Sequence, residues 1–310
     1  MSSKNSPKRT SYKNLSAEER DSQSNPAVRQ TQADQDSYKF PMQRLPLIFL
    51  FFVITLGGAS IVLMRGGSSE IKEYGFEVKA EYPHDSGAFT QGLYFDGEYL
   101  WESTGILRDA SNFTLADSTI RKCNLDGDVL IKKDVPDVFG EGLVRIDDKI
   151  IQLTWKDKIG FVYDTNLELE KQFDVDFQGW GLTYDGRQLI VSDGTSVLRF
   201  LDPETFKVQK EMVVKSGKRR FLGQLNELEY INNRIYANAW KEDYIYIIEP
   251  ESGSIEARID LRKLFPWSKR PSNREAVLNG IAVNPDTERL LVTGKLWPYV
   301  FEIELVENNE

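Results

Sequence analysis

Two residue types are almost missing from this 310-residue chain, which has one cysteine, Cys123, and one histidine, His84. A lone cysteine forbids an intrachain disulfide and any paired-cysteine redox or zinc motif. A lone histidine rules out multi-histidine metal centres, and a histidine-dependent triad would have to use that one residue. A basic surplus is missing too. With 39 Lys+Arg against 48 Asp+Glu and a net charge of −9, the chain lacks the clustered positive charge that a phosphate backbone demands. No nucleic acid is expected as a partner. Catalysis, if any, is left to a carboxylate, an amide, a lysine or an aromatic ring. Aromatic residues are plentiful, with 17 Phe, 13 Tyr and 6 Trp, which favours β structure. The 40% hydrophobic and 28% charged content is that of a globular chain of one or two domains.

Charge is split along the sequence. Residues 1–65 hold nine Lys/Arg and five Asp/Glu, a net of +4; the remaining 30 basic and 43 acidic residues give −13. The first 44 residues are polar, without a hydrophobic period, and read as a disordered tail. Leu45 to Met64 is a run of twenty uncharged, largely apolar residues between Arg44 and Arg65, long enough to span a ~30 Å hydrocarbon core. Its 44-residue lead favours an uncleaved signal anchor over a cleaved signal peptide. The expected organisation is a cytoplasmic tail (1–44), a transmembrane helix (45–64), a linker (65–73) and a body outside the cytoplasm (74–310). That describes a single-pass type II membrane protein of the endoplasmic reticulum or secretory pathway. The sequon Asn112-Phe113-Thr114 fits this orientation, whereas Lys39 and Arg44 against Arg65 and Lys72 give little positive-inside bias.

Five segments of the body repeat. They run Gly92 to Gly105, Gly142 to Trp155, Gly181 to Gly194, Glu227 to Trp240 and Gly280 to Lys295, the last longer by two residues at its turn. Each has an apolar strand, a turn such as Asp96-Gly97 or Asp185-Gly186, and a second apolar strand, the pattern of a β-hairpin. The starts are spaced by 50, 39, 46 and 53 residues, room for four strands per repeat, as in a propeller blade. After Gly280 only three strands fit, and Tyr74 to Tyr82 can supply the fourth. The expectation is an all-β, five-bladed β-propeller preceded by a disordered tail and one transmembrane helix.

Repeat symmetry then places residues. Those just before each hairpin are Gln91, Glu141, Trp180, Asn226 and Asn279; those at its fourteenth position are Gly105, Trp155, Gly194, Trp240 and Lys295. In antiparallel hairpins both sets belong to one end of the central channel. A carboxylate, three amides and an ammonium among three indoles make a pocket for a small polar ligand. Each residue also has a plainer reading. Trp155, Trp180 and Trp240 can fill space between blades, Asn226 and Asn279 can cap turns, and Gln91 can bond a neighbouring blade. Lys295 can be a solvated charge or the partner of Glu141 in a structural ion pair. His84 reads as a stabiliser of the turn entering the first blade, and Asp193 and Glu229 as turn or inter-blade acceptors.

Several stretches resemble the plant-type glutaminyl-peptide cyclotransferase family. They are His84-Asp85, Ala88-Phe89-Thr90-Gln91-Gly92-Leu93, Phe139-Gly140-Glu141-Gly142-Leu143, Gly179-Trp180-Gly181-Leu182, Leu225-Asn226-Glu227-Leu228-Glu229 and Val292-Thr293-Gly294-Lys295-Leu296-Trp297-Pro298. The similarity runs in order from about residue 74 to 305. It implies a five-bladed propeller that converts the N-terminal glutamine of peptides or proteins to pyroglutamate and releases ammonia. It implies Glu141 as general acid/base, with Gln91, Trp155, Trp180, Asn226, Trp240 and Lys295 lining the pocket; Asn279 joins them by repeat symmetry. It also implies catalysis that needs no zinc, although the carboxylates are compatible with a structural divalent ion in the channel. The chain departs from the pattern in a longer loop, Ile106 to Ser118, and in Gln178 where an acidic residue is usual, a change expected to weaken a contact to Trp180. A monomer is expected. The alternative is a non-catalytic, membrane-tethered propeller that binds amines or peptides.

Overall fold

The structure, a computed structural model, describes residues 71–108, 114–217 and 220–307. Among these the regular elements are β-strands, apart from a 3₁₀ turn at Trp267–Lys269. The chain enters through β1 (Lys72–Pro83). A first group follows: β2 (Thr90–Phe95), β3 (Leu100–Thr104), a side hairpin of β4 (Leu107–Arg108) and β5 (Thr114–Ala116), then β6 (Ser118–Cys123) and β7 (Val129–Val135). The second group is β8 (Gly140–Ile146), β9 (Lys149–Thr154), β10 (Ile159–Asp164) and β11 (Leu169–Asp174). The third is β12 (Leu182–Tyr184), β13 (Leu189–Ser192), β14 (Val197–Leu201) and β15 (Val208–Val213), followed by the small hairpin β16 (Lys215–Ser216) and β17 (Arg220–Phe221). The last strands are β18 (Leu225–Ile231), β19 (Arg234–Ala239), β20 (Tyr244–Ile248), β21 (Ile255–Asp260), β22 (Leu278–Val283), β23 (Leu290–Gly294) and β24 (Tyr299–Glu307).

Local chemistry accounts for the hairpins. In the β2–β3 turn the Asp96 carboxylate accepts the backbone N–H groups of Glu98 and Tyr99 at 3.0 and 2.7 Å, and Gly97 sits at φ 97°. Asp185 does the same for Arg187 and Gln188 at 2.7 and 2.6 Å, beside Gly186 at φ 89°. A short acceptor side chain followed by a residue free to adopt positive φ is what such turns require.

Sequence led to five separate four-stranded blades behind a transmembrane helix, and the structure corrects the division into blades. Strand pairing gives three four-stranded sheets, β2-β3-β6-β7, β11-β10-β9-β8 and β12-β13-β14-β15, and one eight-stranded sheet in the order β18-β19-β20-β21-β1-β24-β23-β22. The cause is β1. It pairs antiparallel with β24 from Tyr74↔Glu307 to Pro83↔Tyr299, and its first residues also pair in parallel with β21, from Lys72↔Ala257 to Tyr74↔Ile259. An ion pair between Arg258 and Glu73 reinforces that junction. The edge of β21 is thereby covered rather than left open, and the edge strands β18 and β22 lie against each other, so the eight-stranded sheet bends nearly closed. No helix among the described residues is long and apolar enough to cross a membrane. The expected tail, the apolar run 45–64 and Asn112 of the sequon lie outside the described residues.

The strands that open each hairpin, β2, β8, β12, β18 and β22, neighbour one another in that order, and β22 returns to β2. Apolar side chains fill the seams between successive groups. Leu143 and Ile150 meet Trp101 and Ile120 in one, Leu182 and Leu189 meet Val144 and Ile151 in the next, and Leu93 and Leu100 meet Ala282 and Leu291 where the first group faces the last strands. At the centre backbones approach directly. A Cβ on Gly142 would come within 2.5 Å of the Leu182 nitrogen, and one on Gly181 would collide with the Asn226 carbonyl oxygen.

Gly181→Ala is therefore expected to cost about 3 kcal/mol, the upper range for forcing an extra carbon into a packed interior. Gly223→Ala, where an added Cβ meets nothing within 4 Å, serves as the neutral control. Urea unfolding of both variants checks this, and equal midpoints would contradict it.

Candidate active site

The residues that begin the inner strands are aimed by bulges. Pairing slips between Thr90 and Gly92 on β2, Gly140 and Leu143 on β8, Leu225 and Leu228 on β18, and Leu278 and Ile281 on β22. Gln91, Glu141, Asn226 and Asn279 fall within these irregularities, where an extra residue re-aims a side chain out of the pleat. Trp180 precedes β12, fixed by its N–H on the Ser192 carbonyl at 2.9 Å and by its own carbonyl, which accepts Gly142 N–H at 2.8 Å. The second set of positions is tied to the same end. The N–H groups of Gly105, Trp155, Trp240 and Lys295 donate to the carbonyls of Phe89, Phe139, Gln224 and Val277 at 2.8–3.0 Å.

These ties gather Gln91, Glu141, Trp155, Trp180, Asn226, Trp240 and Lys295 around one cavity of about 340 Å³. Of the eight polar and indole side chains expected to form the pocket, Asn279 alone stands outside the lining. It lies behind Gln91, and its Nδ2 donates to the Thr90 carbonyl at 3.0 Å and to Gln91 Oε1 at 3.4 Å. With Oε1 so engaged, the amide nitrogen of Gln91 is left to donate into the cavity. Phe89, Phe139 and Glu275 also line it, although sequence reasoning passes over them. The two phenylalanines sit three residues before the repeat starts, a position whose carbonyls hold the second ring, so the repeat alignment extended by three would have found them. Glu275 lies in an irregular loop that no repeat indexes.

Aromatic contacts build the walls. Trp180 and Trp240 meet edge to face at 6.2 Å, as do Phe139 and Trp155 at 5.6 Å. Gly105 and Gly194 make room for this packing, since a Cβ on either would strike the ring of Phe139 or Trp180. Trp155 Nε1 donates to Gln178 Oε1 at 2.8 Å, so Gln178 supports Trp155 rather than Trp180, the contact expected from sequence. Trp240 Nε1 donates to Glu275 at 3.0 Å, and Lys241 pairs with the same carboxylate at 3.0 Å. Trp180 Nε1 and Asn226 Oδ1 are buried without a hydrogen-bond partner. Such groups carry a desolvation cost that a polar ligand would relieve.

Electrostatics distinguish two lining groups. Glu141 is 4% exposed. Burial pushes its carboxyl well above the usual carboxylate range, against the opposing pull of the Lys295 ammonium. Burial lowers Lys295 to about 8, while Glu141 and Glu275 act to raise it. Lys295 Nζ rests 4.9 Å from the centre of the Phe89 ring. The result is a carboxyl that holds its proton more tightly than an exposed one, beside an amine that is a ready hydrogen-bond donor. No group of three or more His, Cys, Asp or Glu poised to hold a metal ion occurs among the described residues.

The glutamine cyclotransferase family model matches residues 52–305. That match begins ahead of the motif-bearing stretch near residue 74, within the apolar run 45–64. A glutaminyl-peptide cyclotransferase of Arabidopsis thaliana is 42% identical over 265 residues, covering 83% of this chain and 79% of that protein. The crystal structure of Myxococcus xanthus glutaminyl cyclase aligns with a TM-score of 0.69 at 33% identity, over 77% of this chain and 100% of that one.

The Lys295 amine is expected to titrate near pH 8 in NMR of labelled protein, and lower still in Glu141→Gln, which removes a carboxylate that raises it. An ordinary lysine titration, or an upward move in the variant, would contradict this account of the cavity.

Proposed function

The chain belongs to the glutamine cyclotransferase family, and we propose that this cavity is where it works, with Glu141 as the general acid/base. It is a glutaminyl-peptide cyclotransferase, which closes the N-terminal glutamine of a peptide into pyroglutamate and releases ammonia. The observation that carries the assignment of Glu141 is its setting: a buried carboxyl among indoles, with its affinity for protons raised and a lysine nearby.

Cyclisation needs the α-amine uncharged, so that its nitrogen can attack the side-chain amide carbon. An α-ammonium ordinarily titrates near 7.7–8.0, and raising the proton affinity of the carboxyl lowers the cost of exchanging a proton with it. Glu141 takes the proton displaced from the attacking nitrogen as the new C–N bond forms. It returns that proton to the departing nitrogen as the old C–N bond breaks and ammonia leaves. Gln91 Nε2 and Lys295 Nζ donate toward the carbonyl oxygen on which negative charge develops, and Asn226 offers an acceptor to the amine. Because attack is intramolecular, holding the folded-back conformer supplies much of the acceleration. The indoles of Trp155, Trp180 and Trp240 form the wall against which that conformer packs, attract the incoming ammonium and keep water from competing as nucleophile. Side chains thus fill the acid–base, donor and screening roles without a metal.

Glu141→Gln is expected to lower kcat by 10²–10⁴-fold while leaving the fold and peptide affinity intact. Mass spectrometry of ammonia loss from a peptide with N-terminal glutamine measures it, and wild-type turnover is expected to survive a chelator. Near-normal turnover by a folded Glu141→Gln protein would remove Glu141 from the role. A wild type that binds peptide without cyclising it would remove the reading of the cavity.

A further inference from the structure

The chain's one histidine lies beside the segment that presents Lys295. Leu296, next to it, has φ 63°, a conformation that a branched side chain rarely adopts and that neighbouring structure must hold in place. Residues 84–88 hold it. The Leu296 N–H donates to the Ala88 carbonyl at 2.7 Å, the His84 N–H donates to the Pro298 carbonyl at 2.9 Å, and His84 Nδ1 lies 2.7 Å from the Trp297 carbonyl oxygen. Two of those three ties come from His84.

The other ring nitrogen, Nε2, lies 3.1 Å from Glu102 Oε1. That carboxyl is ionised: its second oxygen accepts Arg121 Nε at 2.9 Å, and Oε1 also accepts the Thr90 hydroxyl at 2.7 Å. Both imidazole nitrogens therefore face groups that can only accept. A neutral ring has one N–H and would leave one acceptor facing a lone pair; only the doubly protonated ring satisfies both. Glu102 is also the hub that joins the two sides of the cavity, since Thr90 precedes Gln91 and His84 grips the turn after Lys295.

We propose that His84 is held as an imidazolium and is the positioning residue for Lys295, clamping the strained turn at Leu296 through the Trp297 carbonyl. The charged surroundings favour this. Glu102 on β3 faces the ring, and Arg121 on β6 opposes its charge but is itself occupied by Glu102 and by Asp85, at 2.7 Å, from the turn after His84. Cys123, also on β6, is a neutral thiol, pushed up to about 12 by burial and by Glu102. Burial works against the imidazolium, yet the Glu102 charge and hydrogen bond together with the Trp297 carbonyl hold its affinity for the proton above the ordinary histidine value. The clamp is complete below the ordinary histidine value and is lost as pH rises through the raised one.

Because the chain has a single histidine, nitrogen NMR of the full-length enzyme reads the ring without assignment. Both ring nitrogens are expected to carry protons at neutral pH and through the range in which a free histidine is already neutral. In His84→Gln, whose amide has one donating end and cannot serve both acceptors, the turn loosens and Lys295 gains water. Its titration is expected to move up from about 8 toward the ordinary lysine value, and kcat/KM for an N-terminal glutamine peptide to fall ten- to a hundredfold. Glu102→Gln is expected to bring His84 back toward ordinary titration. A neutral-tautomer spectrum of the wild-type ring at pH 7 overturns the proposal even if the variants fail to fold. So does a folded His84→Gln protein with unchanged Lys295 titration and unchanged kcat/KM. The proposal rests on the reading of the cavity as the cyclotransferase site. The two NMR readings need no turnover, so absence of cyclisation in the wild type would sink that reading alone.

Discussion

The closeness of the inner strands governs the rest of the molecule. Gly92, Gly142 and Gly181 each sit where a Cβ would run into the backbone of the next inner strand, so side chains cannot separate these strands at the centre. At the corresponding place in the fourth repeat stands Glu227, fully buried, and its carboxyl spans the gap instead. It accepts the N–H of Leu93 at 3.3 Å and of Ile281 at 2.8 Å, from β2 and β22. Buried backbone donors that the inner strands would otherwise strand are thereby satisfied. Since backbones meet at the centre, side chains reach the cavity from the ends of the strands, Gln91, Glu141 and Asn226 among them from the bulges that open the inner strands. The position of the cavity follows from the spacing of the strands beneath it.

Two buried carboxyls of opposite behaviour illustrate how partners decide charge. Both Glu102 and Glu141 lose nearly all contact with water. Burial alone would raise both, but Arg121 and His84 hold Glu102 down at about 2, whereas Glu141 has only the more distant pull of Lys295 and stays high. A carboxylate surrounded by donors is a fixed anchor; one deprived of them is a group that can trade protons. The first kind ties Thr90, His84 and Arg121 together, and the second lines the cavity.

Much of this was legible in the sequence, because repetition lets each copy index the others. The hairpins can be found from their Asp-Gly turns and glycine starts, and seven of the ten residues placed by symmetry line the cavity, the others being Gly105, Gly194 and Asn279. Asn279 did not, since its bulge turns the amide toward Gln91 rather than into the open space, a choice set by one neighbouring backbone carbonyl. Glu275 was invisible because no periodic pattern governs its loop. The merging of the last strands into an eight-stranded sheet depends on three residues of β1 reaching β21, a pairing with no signature in composition or period. Gln178 stands two residues from Trp180, which makes that ring its expected partner; Trp155 is 23 residues away in sequence, and only the packed geometry brings it to the Gln178 amide.

The pairing of β1 with β24 also has a consequence for how the chain is made. Tyr74 finds its partner at Glu307, so a ribosome must deliver nearly the whole body before the first strand can be used. Until then most of β1 is unpaired, since only Lys72 to Tyr74 can meet β21, and it is a template for any other extended chain nearby. Such distant pairing makes for slow assembly. The interval between emergence of β1 and of β24 is the period in which a nascent chain of this protein is most exposed to aggregation and most in need of a chaperone.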